Sequence, residues 1–145
     1  MDRLWIIVIG GLIPAFAFGI AAIFQKGAVL AGMGPGSYLV FMGLAMSGSG
    51  LVLRQALSEA GWGVAGLPPI LVAGVLFAIA SGAIAFAMQR LAAPISLIAP
   101  ITVISTLVTV VLGIVVFREY QGAAALKLLG GALLVVAGAA LVATS

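Results

Sequence analysis

The chain contains no cysteine and no histidine, and only nine of its 145 side chains carry a formal charge at neutral pH, six basic and three acidic. Without cysteine there is no disulfide and no thiolate metal site, and the redox compartment stays open. Without histidine the commonest metal ligand and the usual neutral-pH general base are both missing. Hydrolytic machinery built on those groups is excluded, so no enzyme, metal or cofactor is expected. A soluble domain carries about 25% charged residues, whereas this chain has 6% charged and 65% hydrophobic. So few charges cannot cover a water-facing surface. The net charge of +3 and the high pI do not indicate nucleic acid, because that partner requires basic residues clustered on one face. Here they stand singly, where they suit lipid headgroups and the aqueous edge.

What the sequence does have is long uncharged runs. No ionised side chain lies between Ile95 and Phe117, and an apolar stretch beyond about 18 residues reads as a bilayer span. Charges, glycines and prolines cut the chain into five such spans, at about 4–24, 37–57, 69–88, 94–117 and 123–143. The expected fold is therefore an all-α integral membrane protein, a single domain of five transmembrane helices over residues 1–145. The first run follows Arg3 as a signal peptide would, but it is longer than the roughly 7–15 residues of such an apolar region, so it reads as a span.

Local signals refine each span. Pro14 removes a backbone donor mid-span and predicts a kink or loosening, and Pro100 does the same two turns into the fourth. Gln25 and Lys26 read as the close of the first span, and Ala31-Gly-Met-Gly-Pro35-Gly36 as the turn that follows. Ser47, Gly48, Ser49 and Gly50 in the second span, and the row Gly74, Ala78, Gly82 in the third, predict close helix contacts. Gly130, Gly131 and Gly138 are the expected contact points of the fifth. Trp5, Trp62 and Tyr120 read as interfacial anchors, and Arg118 with Glu119 as an ion pair at the membrane edge.

Two amide–cation pairs, Gln25-Lys26 and Gln89-Arg90, end odd-numbered spans and so share one side of the membrane. They are candidates for a mouth attractive to anionic or zwitterionic solutes; the plainer reading is that Lys26 and Arg90 snorkel to headgroups. Thr102, Thr106 and Thr109 recur at helical spacing on one face. They are candidate substrate contacts, or else hydroxyls satisfied within their own helix. On the five-span reading Arg3, Arg54, Arg118 and Lys127 face one side against Lys26 and Arg90 on the other. That bias favours a cytoplasmic amino terminus and is small enough to admit both orientations.

The stretch Ala92-Ala93-Pro94 with Ala99-Pro100-Ile101, the sequence Phe117-Arg118-Glu119 and the run Lys127-Leu-Leu-Gly130-Gly131 through Gly138 resemble one five-helix repeat of the drug/metabolite transporter superfamily, in its EamA-like branch. The first span, with Gly19, Phe24, Gln25 and Lys26, is similar to that family's first helix. The resemblance implies half of a ten-helix transporter, completed by a homodimer whose two copies insert in opposite orientations. It also implies a multi-pass protein of a cell membrane, the bacterial inner membrane, that moves a small polar or amphipathic metabolite across the lipid bilayer by alternating access. The small multidrug-resistance branch uses a glutamate in its first helix, and none lies between Leu4 and Phe24, so proton-coupled cation export is not expected. Rival readings are a lipid-carrier flippase component and a non-transporting accessory protein.

Overall fold

The computed structural model describes residues 3–118 and 123–143. Glu119 and Tyr120, to which the sequence assigned roles at a membrane edge, lie outside the described residues, so the Arg118–Glu119 pair does too. Among the described residues 87% are helical and none lies in a strand. In order come α1 (Arg3–Ile7), a π-helical turn (Val8–Leu12), α2 (Ile13–Leu30), α3 (Pro35–Ala56), a 3₁₀ turn (Val64–Gly66), α4 (Leu67–Arg90), α5 (Ile95–Thr102), α6 (Ile104–Phe117) and α7 (Ala123–Ala143). Among these, five stretches are long and apolar enough to cross a membrane: Trp5–Leu30, Pro35–Ala56, Val64–Arg90, Ile95–Phe117 and Ala125–Val142. Most of their large apolar side chains, Phe16, Phe24, Leu44, Val72 and Leu134 among them, are exposed. Such a surface suits lipid, and the chain is compatible with a multi-pass membrane protein.

The first boundary differs from expectation. Gln25 and Lys26 do not end the helix, which continues to Leu30. An amide and an ammonium are both good helix formers, and nothing stops the backbone before Gly32. There the chain enters the left-handed region, with φ +90°. The Met33 N–H donates to the Ala28 carbonyl at 3.2 Å and the Gly32 N–H to Val29 at 3.0 Å, the bond pair of a Schellman cap. Gly34 is then extended, and Pro35 opens α3 with the φ a first turn requires. The same cap closes α3, where Ser58, at φ +50°, stands in the place glycine normally takes. Here the Glu59 N–H donates to Arg54 at 3.2 Å and the Ser58 N–H to Gln55 at 3.1 Å.

The two interior prolines act at a distance from themselves. Pro14 sits at the start of α2, and the wide turn lies just before it; the Ile13 N–H donates back five residues to the Val8 carbonyl. Pro100 lies within α5, and the interruption falls at Val103, whose N–H bonds the Pro100 carbonyl at 3.2 Å while Thr106 bonds Val103 at 2.8 Å. Two three-residue bonds there replace the α ladder.

By its internal contacts the chain divides into two compact units, 1–93 and 94–145. In the first, α4 packs on both α2 and α3, and α2 on α3. Its buried residues are Val29, Tyr38, Ser81, Ala85 and Met88. Ser81, Ala85 and Met88 recur at helical spacing on α4, and two of them are small, so the neighbouring helices can approach. Of the row's two glycines only Gly82 is at contact distance: a Cβ there would stand 3.2 Å from Leu39 Cδ1, while at Gly74 it would meet nothing. Ser47, Gly48, Ser49 and Gly50 are exposed. In the second unit α7 packs on α5 and α6 through a seam of Ala125, Leu129, Ala132, Val136 and Ala139, buried or half-buried at alternating spacings of four and three. Gly130, Gly131 and Gly138 lie off this seam with nothing within reach of an added Cβ.

Candidate functional site

The hairpin of α2 and α3 determines which polar groups meet. Gln25 lies five residues before the end of α2 and Tyr38 three after the start of α3, so the antiparallel helices set them near the same end. Met42, one turn beyond Tyr38, faces Gln25; the Gln25 amide approaches its sulfur at 3.9 Å. From α4, the Gln89 amide reaches the Met33 carbonyl in the α2–α3 turn at 3.5 Å. Gln25 and Gln89 therefore gather at one end of the first unit, each held by a weak acceptor or a long bond.

Beside them lies a cavity of about 490 Å³, lined by Phe18, Phe24, Phe41 and Phe77 together with Gln25 and Tyr38 among others. Tyr38 is only 5% exposed, and its buried hydroxyl has no hydrogen-bond partner among the described residues. A phenol in that state forfeits about 1–3 kcal/mol of desolvation. No carboxylate, ammonium or guanidinium is among the lining residues. Lys26 is half-buried and Arg90 exposed, yet neither lines the cavity, and among the described residues the Lys26 ammonium and the Arg90 guanidinium make no ion pair or hydrogen bond. The expected cationic mouth is thus separate from this cavity. A second, wholly apolar cavity of about 570 Å³ continues along the same helices past Leu39, Ile70 and Gly74.

The threonines belong to the other unit, and all three are exposed. The Thr102 hydroxyl donates to the Ala99 carbonyl at 2.8 Å and Thr109 to Ser105 at 2.9 Å, which is the self-satisfied arrangement of hydroxyls in apolar helices. Ser47 does likewise to Gly43 at 2.9 Å. The Thr106 hydroxyl makes no bond among the described residues.

A third feature joins residues the sequence treated separately. Arg54, in the last turn of α3, donates to the Gly61 carbonyl at 2.6 Å and to Glu59 at 3.5 Å, and lies over the Trp62 ring. With Ser47, Gly50 and Leu51 these residues border an open cavity of about 770 Å³ at the end of α3 opposite Tyr38. Sequence reasoning missed both Tyr38 and this clasp. A phenol one turn inside an apolar span, needing a partner that hydrocarbon cannot supply, was the signal for the first; an arginine seven residues before the glycine of a Trp-containing loop was a signal for the second. Among the described residues no cluster of acidic, cysteine or histidine side chains could hold a metal ion.

Compared with family models, curated proteins and solved structures, the chain matches none.

Proposed function

We propose that the chain is a membrane transporter of small polar or amphipathic metabolites that works by alternating access, as a homodimer of five-helix protomers inserted in opposite orientations. The observation that carries this reading is the cavity beside Gln25 and Tyr38. Polar groups inside membrane-length segments are costly to leave unpartnered, and the Tyr38 hydroxyl is such a group beside this space. A space of that volume falls in the range of small-molecule sites. The resemblance of the carboxy-terminal half to the EamA-like repeat supports the same reading, and a pseudo-symmetric pair of inverted units around a mid-membrane site is a recurrent transporter design.

The test is flux. Purified protein in liposomes should give saturable uptake for at least one member of a panel of radiolabelled small metabolites, above protein-free vesicles. Lys26→Ala and Arg90→Ala, if these cations form the entrance, should lower that flux while leaving insertion and dimer content intact. Uptake indistinguishable from empty vesicles across the panel would refute transport, and full flux in both variants would remove the cationic entrance.

A further inference from the structure

The first unit's cavity narrows the substrate class. We infer that it is the binding site for an uncharged, largely apolar solute that carries a ring and one hydrogen-bonding head, with the head held by the Tyr38 hydroxyl and the Gln25 amide. This assigns a substrate class to the proposed transport site and so rests on that reading.

Three observations lead there. The Tyr38 hydroxyl is buried without a partner, and the Gln25 amide across from the same turn is engaged only by a thioether at 3.9 Å. Both can still give and take hydrogen bonds, because a phenol donates and accepts, and an amide has two donors and an acceptor. Next, the lining has no formal charge. An ionised solute entering it would lose its hydration with no counter-charge in return, a cost a neutral solute does not bear. Last, Phe18, Phe24, Phe41 and Phe77 all border the space. Phenylalanine rings contact planar apolar bodies well in offset or edge-on geometry, and Met42, which also borders it, adapts its shape to irregular ones. Head and body thus have separate places: the polar pair near the α2–α3 turn and the rings around it.

The experiment compares four probes of one ring system by equilibrium dialysis against the full chain in lipid nanodiscs, with empty nanodiscs subtracted. The probes are 1-naphthol, naphthalene, 1-naphthalenesulfonate and 1-naphthylmethylammonium. Expected is saturable binding of 1-naphthol at about one site per chain, with the other three at least fivefold weaker. Tyr38→Phe keeps the ring and removes an unpartnered hydroxyl, so the variant should melt no lower than wild type. Yet it should bind 1-naphthol about five- to tenfold more weakly, the loss expected for one hydrogen bond. Gln25→Leu should act the same way, and Ala21→Phe should fill the cavity and abolish binding. Sulfonate or ammonium binding as tight as 1-naphthol overturns the inference. So does unchanged 1-naphthol binding in Tyr38→Phe, which would make the space a plain apolar groove filled by lipid. Binding without any flux in liposomes would leave the site standing and defeat the transport reading. Flux of a charged metabolite without 1-naphthol binding would do the reverse.

Discussion

The guanidinium of Arg54 lies 4.0 Å from the centroid of the Trp62 ring and at the same time donates at 2.6 Å to the Gly61 carbonyl. One side chain thereby ties the end of α3 to the loop that leads into α4. The indole is 73% exposed, so the stacking strengthens a polar clasp at the surface rather than a core. Such an interaction contributes about 0.5–1 kcal/mol, and the charge-assisted bond to Gly61 adds to it. Arg54→Ala should raise the rate of protease cleavage within residues 58–63 by about fivefold, the change that about 1 kcal/mol produces. Arg54→Lys should recover little of the protection, because an ammonium lacks the planar fork that both stacks and donates. Cleavage unchanged in both variants would show that the loop holds its shape without the clasp.

The two Schellman caps give an opposed pair of predictions. Ser58 occupies the left-handed position at the end of α3 and Gly32 the equivalent one at the end of α2. A side chain in that conformation costs roughly 1–2 kcal/mol. Ser58→Gly should therefore stabilise the protein by about 1 kcal/mol and Gly32→Ala destabilise it by a similar amount, read as shifts of the denaturation midpoint in detergent. Equal shifts of the same sign would contradict the caps.

Gly82 and Gly74 sit in one small-residue row, yet their surroundings differ. A larger side chain at Gly82 meets Leu39 at once, while at Gly74 it meets open space. Gly82→Leu should cost about 1–3 kcal/mol through overpacking of α3 against α4. Gly74→Leu should be neutral or slightly stabilising, since leucine is the better helix former. Matching losses at both positions, measured by thermal melting, would place a neighbour at Gly74 as well.

The inverted dimer is tested by orientation. Gly34 and Ser58 lie in the turns at opposite ends of α3, and the chain has no native cysteine. Single cysteines at each, probed with a membrane-impermeant maleimide in intact cells, should both label to about half, as expected if the two orientations coexist. Full labelling of one and none of the other would establish a single orientation and exclude the inverted pair.

The spans and the turns between α2, α3, α4 and α5 were legible in the sequence, because charges, glycines and prolines interrupt otherwise continuous apolar runs. The extent of α2 was not, since Gln25 and Lys26 look like an end but favour helix, and only Gly32 stops it. Contact faces were the least legible. In helices that are apolar all round, the outward side looks the same as the inward side, so periodicity does not separate them. Thus α7 packs through Ala132 and Ala139 while Gly131 and Gly138, the more conspicuous small pair, face away. The candidate site was half legible. Gln25 and Gln89 stood out as amides at apolar borders, and Tyr38 did not, because an aromatic near a membrane edge passes for an anchor until its hydroxyl is found enclosed. Lys26 and Arg90 stood out by charge, and charge alone did not bring them to the cavity.

The π-helical turn at Val8–Leu12 makes the spiral ahead of Pro14 one residue longer than an α-helix requires. Deleting a single residue from that turn would let regular coiling resume, and because the wide turn already absorbs the extra residue, Trp5 through Ile7 would keep their side relative to everything from Ile13 onward. The amino-terminal segment can thus lose one residue of length without being re-aimed.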